Sequence, residues 1–306
     1  MLFILLFMIK IIDTHQHLWD LERLNLPWLD NVPTLKKEHL PADYLKASEG
    51  TGIKRTIYME VDAHADHKQK EIEDMTMLCK SGDEIMQGMV ISANPGDSGF
   101  SKFLEKNSGN HFIKGIRQVL HTPEQPAKYC LSTQFRKGIR ELGKRGLLFD
   151  ICIRPAEIKD AVELCRQNPE TIFMLDHCGN ADPYVVNGQR NRDISHPDST
   201  FFHTRESWQE GVQQMGRLEN VYCKISGIIS RAEIGWNAET LAPTVNACLD
   251  AFGEDRVVFG GDWPVCNLGA SLYEWVAALR EIVKNRPETL KKKLFHINAE
   301  RLYNLV

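Results

Sequence analysis

The chain has no CxxC pair and no dense cysteine cluster; its eight cysteines are scattered over 306 residues. That excludes a disulfide framework and a structural zinc knuckle, and it fits the reduced thiols of a cytoplasmic protein. Strong charge of either sign is also missing. A net charge of −4, with acids and bases interspersed, offers no basic surface for nucleic acid or for an anionic membrane. The apolar run Leu2–Met8 is far shorter than the roughly 20 residues a membrane span needs. It lacks the basic start and small-residue cleavage site of a secretory leader, so no membrane anchor is expected. Residues 1–8 read as an extension or a start-site artefact, and residues 9–306 as one domain. No Pro/Gly/Ser linker, internal repeat or low-complexity tract divides them.

What is present is an alternation. Short continuous apolar runs fall near 11–17, 56–61, 85–91, 112–117, 147–153, 171–175, 221–227 and 256–264. Runs of this kind suit parallel strands buried on both faces. Helical periodicity is predicted at 66–80, 132–145, 157–167, 203–217, 240–252, 270–285 and 287–304. Eight strand–helix units in about 300 residues point to an α/β fold, a single-domain (β/α)8 TIM barrel. A doubly wound open sheet is the runner-up, but no Gly-rich phosphate loop follows the first strand.

Polar and ionisable residues recur where these strands end: His15 and His17, Glu60, Arg117, Arg154, His177, Lys224 and Asp262. In a barrel the C-terminal strand ends converge on one face, which is where active sites lie. His15 and His17, two apart on a strand, project to the same side and suit metal binding or paired proton transfer. Trp19 and Trp28 in the following loop either line a pocket or pack the loop. His121 and the long loop bearing Tyr184, Arg190 and Arg192 are further candidates for pocket contacts.

His15-x-His17-Leu-Trp19, Lys114-Gly-Ile-Arg117, Asp150 with Arg154-Pro155, Leu175-Asp-His177-Cys-Gly179, Lys224-Ile-Ser-Gly227 and Gly260-Gly-Asp262-Trp-Pro264 follow one another in order. The set resembles the amidohydrolase superfamily, in its branch of lactone hydrolases acting on sugar-acid and dicarboxylate lactones. The resemblance runs from about residue 9 onward. It implies that His15, His17 and His177 surround the reacting carbonyl and that Asp262 is the base that activates water. In the wider superfamily the same four positions bind divalent metal. Arg117 stands where a bridging lysine would end the fourth strand, which argues against a two-metal centre. A single divalent metal, zinc on ligand chemistry, held by His15, His17, His177 and Asp262 is the cofactor this implies.

The expected function is opening of a sugar-acid (aldono-) lactone to the hydroxy acid. Arg117 and Arg154 would grip a carboxylate or sugar hydroxyls. Glu60 and Lys224 would add pocket polarity, or else pair with each other beneath it, and Trp19 and Trp28 would stack on the ring. A metal-dependent decarboxylase of the same superfamily and a non-catalytic sugar-acid-binding barrel are the alternatives. The expected partner is a small-molecule lactone, with neither nucleic acid nor membrane; the oligomeric state stays open, a homo-oligomer included.

Overall fold

A computed structural model describes residues 9–81, 85–122, 124–190 and 200–305. The expected extension, residues 1–8, and Arg192 lie outside the described residues. Eight parallel strands follow one another in sequence order around one sheet: β1 (Ile11–Gln16), β2 (Ile53–Met59), β3 (Met86–Ser92), β4 (Ile113–Val119), β5 (Leu148–Cys152), β6 (Phe173–Leu175), β7 (Val221–Ile225) and β8 (Val257–Phe259). Just beyond β8 the chain returns to β1. The Asp262 N–H donates to the His15 carbonyl at 2.7 Å, and the His17 N–H donates to the Trp263 carbonyl at 2.8 Å. These bonds and a parallel bridge between Gln16 and Trp263 nearly close the barrel. The expected (β/α)8 architecture is the observed one.

Strand positions came out within a few residues of expectation because buried parallel strands are apolar throughout. Two helices, Pro41–Ser48 and Phe100–Asn107, were not anticipated. Each has eight residues and presents only two buried side chains, too few for a legible period. The C-terminal helical stretch is broken into Glu288–Lys292, a π-turn Lys293–Ile297 and Asn298–Leu302. Among the described residues, no helix is long and apolar enough to cross a membrane.

The interior divides into levels. Ile12, Ile57, Met59, Val90, Leu148, Met174 and Val258 fill the lower barrel, with Ala299 and Tyr303 of the C-terminal segment packed on them. Above this apolar plug sit charged residues, and above those the mouth. A larger apolar cluster, including Phe135, Phe149, Phe173, Trp208 and Trp275, fills the space between strands and helices.

One local irregularity in β1 bears on the site. Asp13 pairs with Thr56 and Gln16 with Tyr58, so β1 takes three steps where β2 takes two. Ile12 joins the interior plug, and strict alternation from there would turn His15 away from the barrel axis. The extra residue is a β-bulge, which reverses that facing. It brings His15 inward, with His17 after it.

Candidate active site

Asp262 and the two histidines of β1 meet at the floor of the mouth. Asp262 Oδ1 is 3.4 Å from His17 Nε2 and 3.6 Å from His15 Nε2. The closure bonds between β1 and the segment after β8 impose this proximity, because they fix Asp262 beside His15. His17 Nδ1 donates to the Met59 carbonyl at 2.9 Å. That bond sets the tautomer and turns the lone pair of Nε2 towards Asp262. An imidazole lone pair and a carboxylate facing each other at this distance need a proton or a cation between them.

His177 stands opposite. Its Nδ1 lies 3.0 Å from Ser226 Oγ and 4.0 Å from Asp262 Oδ2, and its ring is 4.5 Å from that of His15. Burial lowers its pKa, outweighing the pull of Asp262 and Asp176. The backbone here is strained. His177, Cys178, Gly179 and Asn180 all have positive φ, at 54°, 53°, 70° and 57°. Left-handed non-glycine residues are costly and persist where surrounding contacts impose them. Trp208 Nε1 donates to the Cys178 carbonyl at 2.8 Å, and Asn180 Nδ2 to the Ile153 carbonyl at 2.9 Å. Asp262 is itself left-handed, at φ 56°.

Beneath these three residues lies a level of buried charge. Lys224 Nζ is 2.5 Å from Asp150, 2.9 Å from Asp176 and 3.3 Å from His15 Nδ1. Burial alone would strip its proton, but Asp150 and Asp176 overrule that and hold Lys224 firmly protonated. Asp176 is likewise pushed up by burial, yet Lys224 keeps it well below the ordinary carboxylate range. Asp150 is raised to about 7 by burial, with Lys224 opposing. Burial, and then Lys224, holds His15 neutral, well below the usual imidazole range. Arg117 donates through Nε to Glu60 Oε1 at 2.5 Å and through Nη2 to the Glu60 carbonyl, while its Nη1 lies 3.3 Å from His15 Nε2.

A cavity of about 440 Å³ opens above the floor, a size suited to a small molecule. His17, Arg117, His177 and Asp262 line it, as do Trp28 and His121. Four expected substrate contacts do not reach it. Trp19 is buried, its Nε1 donating to the Lys37 carbonyl and its ring edge-on to Trp28. Glu60 and Lys224 are fully buried, so they buttress the floor instead of touching what sits on it; they pair with Arg117 and with Asp150 and Asp176, not with each other. Arg154 is held by Glu157 and by the carbonyls of Thr122 and Gln125, which bind the loop after β4. Tyr184 and Arg190 brace their own loop, through Glu233 and Asp182.

Sequence reasoning missed Asp176 as a member of the site, although it adjoins His177. It also missed Asp62, Asn180, Phe201 and Arg231, which line the cavity. A rule that every polar residue closing a strand is a candidate finds Asp176. Nothing local marks the other four.

Among the described residues, two donor sets could hold a metal ion: His15, His17 and Asp262, and His15, Asp176 and His177. The four expected ligands thus divide, with His177 grouped on the far side of His15. A tetrahedral zinc with bonds of about 2.0–2.1 Å needs donor atoms about 3.4 Å apart. The spacings of 3.4 and 3.6 Å around Asp262 fit this requirement.

A family model described as Amidohydrolase matches residues 12–305. The chain belongs to the amidohydrolase family. An L-fucono-1,5-lactonase of Burkholderia multivorans is 26% identical to this amidohydrolase over 88% of the chain and 87% of the relative. An L-rhamnono-gamma-lactonase of Scheffersomyces stipitis is 22% identical over 97% of the chain and 99% of the relative. Among solved structures, an amidohydrolase of Burkholderia multivorans with bound zinc superposes with a TM-score of 0.80 at 21% identity, covering 97% of this chain and 100% of that one. That likeness establishes the shared barrel of the amidohydrolase fold.

Proposed function

We propose that the chain hydrolyses the lactone ring of a sugar acid. The observation that carries this reading is the carboxylate of Asp262, within 3.4–3.6 Å of two histidine nitrogens at the floor of a cavity of about 440 Å³. Two relatives matched over 87% and 99% of their own length, both lactonases, support it.

In the proposed reaction Asp262 takes a proton from water as the water oxygen bonds to the lactone carbonyl carbon. His177 is oriented by Ser226, and its Nε2–H faces the oxyanion that develops on the carbonyl oxygen. The ring C–O bond then breaks, and the proton held by Asp262 passes to the departing alkoxide. A positioned base contributes about 10²–10⁴-fold and an oxyanion donor about 10²–10³-fold. His15, His17 and Asp262 would hold a divalent metal, zinc suiting these donors; when bound it supplies Lewis-acid polarisation of the carbonyl and acidifies water. Burial and then Lys224 keep His15 neutral, and Arg117 Nη1 lies against its Nε2.

The test is acid release, read with a pH indicator, from a panel of freshly prepared sugar-acid lactones with and without a strong chelator. Turnover well above spontaneous opening is expected, falling at least about 10²-fold in Asp262→Asn. Failure across the panel overturns the reading, and tightly bound zinc in the inactive protein would redirect the search to decarboxylation.

A further inference from the structure

β1 carries a buried carboxylate that takes no part in the reaction proposed above. Asp13 is fully buried, two residues before His15. Its Oδ1 accepts from the N–H of His15 at 3.0 Å and from the N–H of Gly261 at 2.7 Å. Its Oδ2 accepts from the Tyr44 hydroxyl at 2.8 Å. One oxygen thus holds the backbone of His15 and the backbone of the residue before Asp262. A Cβ at Gly261 would run into the same carboxylate, so this close approach requires glycine there.

The bond to His15 spans two residues of one strand, a local side-chain bond of the kind that competes with ladder pairing. It falls inside the bulge, where Thr14 and His15 have no residue opposite them on β2. The bond to Gly261 crosses the seam that closes the barrel, beside the backbone bond from Asp262 to His15. A buried N–H without an acceptor is costly, and Asp13 satisfies both. Loss of the bulge it secures would restore regular alternation and turn His15 off the barrel axis. Tyr44, on the helix Pro41–Ser48, fixes the carboxylate in turn, its ring edge-on to that of Trp263 at 5.4 Å.

Resting on the lactone reading above, we propose that Asp13 is a positioning residue for the reaction. It is not among the side chains lining the cavity, and it sets the separation of His15 and Asp262 through their backbones. Its removal therefore acts on turnover and leaves substrate binding nearly unchanged.

The test compares Asp13→Ala, which removes both acceptors, with Asp13→Asn, which keeps an amide oxygen for the two N–H groups and turns its NH2 towards Tyr44. On a lactone that the wild type opens, Asp13→Ala should lower kcat about 10²-fold while KM stays within about threefold. Asp13→Asn should keep kcat within about tenfold of the wild type. Turnover is measured per folded molecule, well below the unfolding midpoint, so a loss of stability alone leaves it unmoved. In NMR spectra of histidine-labelled protein, the His15 ring signals should shift in Asp13→Ala and stay in Asp13→Asn. Wild-type kcat in Asp13→Ala overturns the assignment, as does an equal loss in both variants. If Asp13→Ala does not fold, Asp13→Thr replaces it, because its hydroxyl sits one bond nearer the backbone and does not reach Gly261. The same loss is then expected, and wild-type kcat overturns the assignment. If no lactone turns over, the lactonase reading fails and the His15 signals decide alone. A shift in Asp13→Ala that is absent in Asp13→Asn supports the positioning role, and unmoved signals overturn it.

Discussion

Replacing Gly227 by alanine should disable His177 by crowding its ring. Gly227 has φ +71°, a conformation that costs an L-residue about 1–2 kcal/mol. A Cβ there would lie 2.4 Å from His177 Nδ1, 2.5 Å from its Cγ and 2.6 Å from its Cβ. Ordinary contact begins at 3.4 Å, so the imidazole has to retreat by 3.4 − 2.4 = 1.0 Å. That movement breaks the 3.0 Å bond from His177 to Ser226, which sets the ring's orientation. Overpacking adds about 1–3 kcal/mol. The total destabilisation expected in urea unfolding is therefore about 2–5 kcal/mol. A misplacement of about 1 Å at a reacting group costs on the order of 10²-fold in kcat. Gly235→Ala is the control, because it has φ +90° with nothing within 4 Å of the added Cβ. It should lose about 1–2 kcal/mol from strain alone and keep its kcat. Turnover and the histidine NMR signals of the two variants separate clash from strain. A Gly227→Ala protein with wild-type kcat and unmoved His177 signals would refute the argument.

Two further predictions concern buried charge. Lys224→Met leaves Asp150 and Asp176 facing each other without their cation and should cost about 3–5 kcal/mol, with Asp150→Asn in the same chain returning part of it; an unchanged urea midpoint would show that the charged level is not structural. Glu71 is pushed up to about 8, first by burial and then by Glu60. Its Oε1 accepts from Tyr58 and from the Val61 N–H, while Oε2 has no partner, as suits a protonated acid. A raised acid binds more protons folded than unfolded, so its contribution is full below the unfolded value of about 4.5 and declines as pH rises towards 8. The wild type should lose up to about 5 kcal/mol over that interval, and Glu71→Gln should flatten the loss. Parallel curves for the two proteins would rule this out.

The barrel was legible because its causes are local. Continuous apolar strands separated by amphipathic helices repeat often enough to count, and eight such units admit few arrangements. The identities of His15, His17, His177 and Asp262 were legible too, since polar residues closing apolar strands are conspicuous. What each of them faces was not. The facing of His15 depends on a bulge that one strand makes against its neighbour. Asp262 meets His15 through closure bonds linking residues about 250 positions apart. The sequence makes Arg117, Arg154, Arg190 and Arg231 equivalent cations; their partners arrive from other strands and loops. Glu60 engages Arg117 and Glu157 engages Arg154, while among the described residues Arg231 meets the ring of Phe201 and no hydrogen-bonding or ion-pair partner. A strand end does not reveal its depth, so the sequence alone does not separate pocket groups from buried ones at Lys224 and Glu60. Composition and periodicity follow from short-range chemistry and determine which elements form. Pairing of charges and exposure to the cavity are set by long-range closure, and only the folded barrel decides them.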